Sequence, residues 1–156
     1  RVEANLARTR LRAELVVADA AVWDDARRFD AVLLDAPCSA TGTFRRHPDV
    51  LRLVRPGDIA AQAALQARLL DAAADRVQAG GRLVFCTCSL EREEGEAQVA
   101  PFLSRHPQFA VSPADPEVLG LPAEAAADGG LRLMPSFWEQ RGGMDGFFAV
   151  RFERAG

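Results

Sequence analysis

The sequence predicts an α/β fold, with a mostly parallel open sheet that ends in an antiparallel C-terminal hairpin. Three observations carry this. The runs "DAVLLDAP" (30–37) and "GRLVFCTCS" (81–89) have continuous apolar cores, as expected of parallel strands covered on both faces. Between them, Leu65, Leu69, Leu70, Ala73 and Val77 fall on one helical stripe, so the order is strand, helix, strand. Near the end, "LRLMPS" (131–136) and "GFFAVRFER" (146–154) flank a Gly-rich turn at Gly142 and Gly143 and read as two antiparallel strands.

The remaining elements follow in chain order. "VEANLARTRLR" (2–12) reads as a short helix, and "ELVVADA" (14–20) as a strand running into an acidic turn. Asp58 is the expected N-cap of a helix over 59–78, with Gly80 as its stop. A further helix is expected over 91–105, with Val99, Phe102 and Leu103 as its apolar positions and Pro101 kinking or dividing it. Residues 112–130, rich in Pro, Ala, Asp and Gly, read as a loop. No internal repeat is visible.

Composition narrows the function classes. A chain of 156 residues, 49% apolar and 26% charged, has the size and make-up of one globular domain. It has no apolar stretch of membrane-spanning length and no signal-peptide pattern, so the expected location is the cytoplasm, with no membrane partner. Three cysteines without scaffold spacing point to reduced thiols. The net charge of −3 is not that of a basic nucleic-acid-binding domain, so any phosphate contact must be local. All basic residues are arginine, and Arg45 and Arg46 stand beside His47. As a surface pair they are otherwise simply solvated.

In open α/β sheets, ligands bind beyond the carboxyl ends of the strands. That rule puts Asp19, the turn Asp35–Ser39 and the turn Cys86–Ser89 along one edge, and brings Cys38 and Cys88 towards one cleft. Cys86 shares a side with Cys88 but lies further inside the strand, so it reads as packing. Zinc is a poor fit, because a Cys-x-Cys pair with one distant Cys and scattered His47 and His106 lacks the paired ligand spacing; no metal is expected.

"FDAVLLDAPCSATGTFRRHPDV" (29–50), "GGRLVFCTCSLEREEGE" (80–96) and "GGMDGFF" (142–148) together resemble the Sun/Fmu (RsmB-like) family of bacterial ribosomal RNA cytosine-5 methyltransferases. The resemblance runs from about residue 2 to the C-terminus and is weakest over 104–130. It implies a Rossmann-like fold, S-adenosylmethionine as cofactor, and RNA, in particular small-subunit (16S) ribosomal RNA, as partner. Carbon 5 of cytosine is a poor nucleophile, and a thiolate added at carbon 6 activates it. By this resemblance Cys88, of Thr-Cys-Ser, is the nucleophile and Cys38, of Pro-Cys, assists product release. Asp35 hydrogen bonds the ring nitrogen and amino edge of the base, and Pro37 shapes the turn. Asp19 matches the family's acidic contact to the cofactor's adenine amine. Gly42 permits a tight path along the RNA channel, Arg45 and Arg46 meet phosphates, and Phe44 stacks on a base or packs inward. For Asp35 and Asp19 an ordinary turn aspartate competes. Phe147 and Phe148 read as core aromatics.

The departures from the family are also informative. The first strand, its Gly-rich cofactor loop, the second strand and the N-terminal RNA-binding domain have no counterpart, so the chain reads as the C-terminal portion (1–156) of a catalytic domain. Gly95 stands where relatives tend to have Asn. In the family sheet the first two strands lie between the third and fourth, so "ELVVADA" is expected to need rearranged pairing, homodimerisation or strand exchange. Two rival classes stay open: a noncatalytic RNA-binding piece, and a thiol hydrolase using Cys38 or Cys88 with His47.

Overall fold

The computed structural model describes residues 1–156. Helix α1 (Val2–Thr9) is followed by strand β1 (Phe29–Asp35), a short α2 (Val50–Leu53), the long α3 (Pro56–Arg76) and strand β2 (Val77–Thr87). Then come α4 (Val99–Arg105), β3 (Phe109–Val111), the short β4 (Ala126–Ala127), β5 (Gly130–Leu133) and β6 (Phe147–Arg154). The sheet order is β1-β2-β6-β5-β4, with β3 also on β6. β1 and β2 are parallel, and the other four pairings are antiparallel. The α/β class and the antiparallel close are as expected, while parallel pairing within this chain is limited to β1 with β2.

Helix α3 starts one turn earlier than expected because Pro56 opens it and Asp58 acts from inside the first turn. The Asp58 carboxylate accepts the Arg55 N–H at 3.0 Å. The helix ends at Arg76, and Gly80 is not its stop. At φ +74° Gly80 instead lets the start of β2 bulge, and the register jumps from Phe29 opposite Val77 to Ala31 opposite Arg82. The helix expected over 91–105 is divided: 3₁₀ turns at 92–94 and 96–98 precede α4. Pro101 falls in the first turn of α4, where its missing N–H costs nothing.

The core lies on one face of the sheet. Leu83, Phe85, Phe148, Val150 and Phe152 alternate towards Leu70 and Ala74 of α3 and Val99 and Phe102 of α4. Phe102 stacks between Phe152 (4.5 Å between centroids) and Phe109 (5.5 Å). The opposite face is not covered by a helix, since α1 buries no residue and Leu33 of β1 remains 69% exposed. Coverage of β1 on both faces, expected from its apolar run, is therefore absent here.

"ELVVADA" is not a strand: residues 14–20 form no ladder, and Val16 and Val17 are exposed. A strand is stabilised by its hydrogen-bonded neighbour, and the outer edge of β1 pairs with nothing in this chain. The rearranged pairing expected for this segment does not occur within the chain. The segment after it is held by Arg76, which donates to the carbonyls of Trp23 and Asp25 and lies 5.4 Å over the Trp23 ring. The loop expected over 112–130 contains β4 and the first residue of β5, while helix α1 ends three residues short of Arg12.

A buried ion pair ties β5 to the turns beneath the strand ends. Arg132 donates to Glu96 through Nε at 2.9 Å and Nη2 at 2.5 Å, and through Nη1 to the Ser89 carbonyl at 2.5 Å. The two side chains are 11% and 6% exposed. Burial disfavours the Glu96 carboxylate, but the Arg132 hydrogen bonds outweigh it and hold its pKa below the usual range. The stability this contributes is complete above the unfolded-chain value of roughly 4.3 and is lost as pH falls through the lower folded value. Arg132→Met strands the carboxylate, so urea unfolding at pH 7 is expected to show a loss of about 3–5 kcal/mol. The deficit should shrink on acidification, as Glu96 takes up a proton; a pH-independent deficit would contradict this account.

Candidate active site

The parallel register sets Asp35 opposite Cys86, so the turns leaving β1 and β2 emerge side by side at the carboxyl edge. Cys38 and Cys88 meet there, with sulfurs 3.5 Å apart and both half-buried. The hydrogen bond from the Cys38 thiol draws Cys88 down to about 7, against the cost of partial burial. The same contact, together with burial, pushes Cys38 far above the ordinary thiol range. The two sulfurs thus form an asymmetric pair, in which the contact favours ionisation of Cys88 over that of Cys38. Cys86 is buried as expected, and burial pushes it up to about 12, aided by Asp35. Its Sγ lies 3.7 Å from both the Leu34 carbonyl and Asp35 Oδ1.

Three backbone segments touch around this pair. Gly42 N–H donates to the Cys88 carbonyl at 3.0 Å, and Gly146 N–H donates to the Gly42 carbonyl at 2.8 Å. A Cβ on Gly42 would stand 2.2 Å from the Gly146 oxygen and 2.8 Å from the Cys88 oxygen. The tight path read for Gly42 is therefore a steric requirement. Phe148 is fully buried, as expected of a core aromatic, while Phe147 and Phe44 are half-buried.

The flanks of the two cysteines are linked by side chains that the sequence reading did not single out. Glu94, with no exposed surface, accepts the Ser39 N–H at 2.9 and 3.2 Å and the Ser39 hydroxyl. Gln66 Nε2 donates to Glu94 at 3.2 Å and to the Pro37 carbonyl at 2.9 Å. Ser89 Oγ lies 3.2 Å from Ser39 Oγ and 3.3 Å from Thr41 Oγ1. The available signal was Gln66 itself, a polar residue beside the apolar stripe of α3 that needs a buried partner.

Asp35 and Pro37 are exposed beside the thiols. Asp19 sits in an exposed loop and accepts the Ala21 N–H at 2.9 Å, the ordinary turn role weighed against its cofactor contact. Arg46 is already engaged: its Nε donates to Asp145 at 2.7 Å, and Arg45 lies 4.0 Å from the same carboxylate. The Arg46 hydrogen bond holds Asp145 below the usual carboxylate range. His47 is exposed and bonds neither thiol, and His106 binds Asp71 at 2.8 Å, so neither thiol has the histidine partner a hydrolase needs. The largest cleft, about 570 Å³ between residues 21–24 and α3, contains no cysteine. No helix is long and apolar enough to cross a membrane.

Comparison with known proteins bears on the fold and the family. Among solved structures, NSun6 from Pyrococcus horikoshii, crystallised with SFG, superposes with a TM-score of 0.74 at 27% identity over 99% of this chain and 38% of that one. A methyltransferase homolog protein from the same organism gives 0.71 at 25% identity, over 97% of this chain and 48% of its own. The fold is accordingly the Rossmann-like one of the methyltransferases. Ribosomal RNA small subunit methyltransferase B of Vibrio cholerae is 46% identical over 135 residues, covering 83% of this chain and 31% of that protein. The Thermus thermophilus protein of the same name is 43% identical over 127 residues, 81% of this chain and 30% of its own. The chain thus spans about a third of the length of the curated relatives it matches. The family model described as 16S rRNA methyltransferase RsmB/F matches residues 1–153, and the chain belongs to that family.

Proposed function

We propose that this chain is the C-terminal, target-base portion of an S-adenosylmethionine-dependent RNA methyltransferase acting in the cytoplasm on carbon 5 of a cytosine in small-subunit ribosomal RNA. The single observation that carries the chemistry is the contact of Cys38 and Cys88, with their sulfurs 3.5 Å apart. Family membership and the names of the relatives support the substrate class.

The thiolate of Cys88 adds to carbon 6 of a cytosine flipped out of its stack, forming a carbon–sulfur bond and placing negative charge in the ring. Asp35 faces the ring nitrogen and amino edge, where its carboxyl oxygen accepts from the amino group and a proton held between the carboxyl group and the ring nitrogen offsets that charge. When bound, S-adenosylmethionine would supply the methyl group, its sulfur–methyl bond breaking as carbon 5 bonds the methyl and S-adenosylhomocysteine being left; Asp35 and Pro37 would form its wall in this chain. Once Cys88 is bound to carbon, Cys38 no longer faces a thiolate and returns towards the ordinary thiol range. It then gives its proton to solvent and takes the carbon 5 proton as general base, and the carbon–sulfur bond breaks with its electron pair returning to Cys88. Arg45, Arg46 and Phe44 line the RNA channel. The unpaired outer edge of β1 is where the homodimerisation or strand exchange expected from the sequence would take place.

Alkylation of Cys88 by iodoacetamide, located by peptide mass, is expected to rise with pH through a midpoint near 7. In Cys38→Ala that midpoint should move upward, because the donor that stabilises the thiolate is gone; an unchanged midpoint would refute the paired-thiol reading. Calorimetric titration of the 156-residue chain with S-adenosylhomocysteine decides whether it binds cofactor unaided. Saturable binding makes the chain itself the enzyme to test, and no binding by folded protein assigns the cofactor site to residues outside it. RNA carrying 5-fluorocytosine, with S-adenosylmethionine, is expected to leave a denaturant-resistant adduct with wild type and Cys38→Ala and none with Cys88→Ala. The reverse pattern would exchange the two roles.

A further inference from the structure

The residues on either side of both cysteines are joined in one hydrogen-bond network around Glu94. Ser39, immediately after Cys38, gives Glu94 its N–H at 2.9 Å and its hydroxyl. Pro37, immediately before Cys38, is tied to the same acid through Gln66, whose Nε2 bridges the Pro37 carbonyl at 2.9 Å and the carboxylate at 3.2 Å. On the other strand, Thr87, just before Cys88, donates its hydroxyl to the Glu94 carbonyl at 3.1 Å. Ser89, just after Cys88, reaches Ser39 Oγ at 3.2 Å. The opposite end of Gln66 is buried without a partner, so its amide is oriented by these two acceptors and not by its own oxygen.

We propose that Glu94 is the positioning residue of the two-thiol site, its buried carboxylate clamping the Cys38 turn onto the Cys88 turn so that the sulfurs stay in contact. Glu94 bears on catalysis through the two thiols proposed above to do the chemistry. A carboxylate with no exposed surface is costly to bury unless its oxygens are satisfied, and every side-chain hydrogen bond that Glu94 accepts comes from Ser39 or Gln66. Ser39 lies on the Cys38 turn and Gln66 also holds the Pro37 carbonyl of that turn, which distinguishes a clamp from an acid that fills space.

The test needs neither RNA nor cofactor. Phenylarsine oxide bridges two neighbouring thiols, so its rate of reaction with the purified chain reports the contact of Cys38 with Cys88; the iodoacetamide midpoint of Cys88 reports whether Cys38 still donates to it. Glu94→Ala is expected to slow bridging about tenfold, the loss of hydrogen bonds to a charged group, and to raise the Cys88 midpoint as Cys38→Ala does. Glu94→Gln can accept the Ser39 N–H and donate to its hydroxyl, so it should stay within about threefold of wild type. A cooperatively melting Glu94→Ala that bridges at the wild-type rate with an unchanged midpoint would overturn the proposal. If Glu94→Ala does not fold, Gln66→Met serves, since it cuts the tie to Pro37 and keeps the acid. Slower bridging then supports the clamp and an unchanged rate overturns it. Failure to trap an RNA adduct on a chain that binds S-adenosylhomocysteine would refute the methyltransferase reading and leave these thiol measurements intact, so the two claims fail separately.

Discussion

The parallel pairing of β1 with β2 is the constraint on which the site depends. Parallel strands place both carboxyl ends on the same edge, and the register that sets Asp35 beside Cys86 fixes how far each turn has travelled when Cys38 meets Cys88. A slip of one residue would turn Leu83 and Phe85 out of the core and carry Cys88 to the other face. The aromatic packing under β2 and β6 therefore does more than stabilise the sheet. By making any other register expensive, Phe85, Phe148 and Phe152 hold a sulfur–sulfur contact that lies beyond the end of the strands.

Beyond the strand ends there is no ladder to hold the backbone, and the chain uses two other devices. One is close approach: Gly42, the Cys88 carbonyl and Gly146 are stacked so tightly that no side chain fits between them. The other is buried charge. Glu94 gathers the Cys38 turn, and Glu96 with Arg132 supports the Ser89 carbonyl from below. Both acids sit in the 3₁₀ turns that replace the start of the expected helix. Gly95 between them has a backbone (φ −136°, ψ −105°) at which a Cβ would meet Arg132 Nη2 at 2.5 Å. The glycine noted in the sequence as a departure is thus the residue that lets Arg132 approach.

What was legible in the sequence was whatever is encoded locally or in a motif. β1, β2, β6 and α3 follow from apolar runs and a helical stripe, and the two cysteine turns follow from the rule that sites gather at carboxyl ends. What was not legible depends on partners far along the chain. "ELVVADA" has the pattern of a strand, but pattern cannot supply a neighbour, and without one the segment stays open. β3 is three residues long and exists through its pairing with β6. Glu94 looks like a surface acid in a charged run until Ser39 and Gln66 are folded around it. Gln66 carried a hint, since an amide at a helix position facing the core must be satisfied by something equally buried.

The electrostatics of the rim follow from the same economy of charge. The chain is net acidic, and near the thiols its positive charge is local: Arg45 and Arg46 are adjacent in sequence and share Asp145 as partner. Asp145 holds Arg46 at close range, which keeps the guanidinium extended and oriented, and it also sets a negative charge near Cys88 that works against the thiolate. A phosphate arriving at Arg46 must compete with Asp145, and an exposed ion pair is weak enough for that competition to be even. Asp145 therefore links the arginine pair to the electrostatics of the thiols: it orients Arg46, and the same charge opposes ionisation of Cys88. An anion that drew Arg46 away from Asp145 would change the charge around Cys88 and leave the sulfur–sulfur contact in place, because neither Arg46 nor Asp145 bonds either thiol.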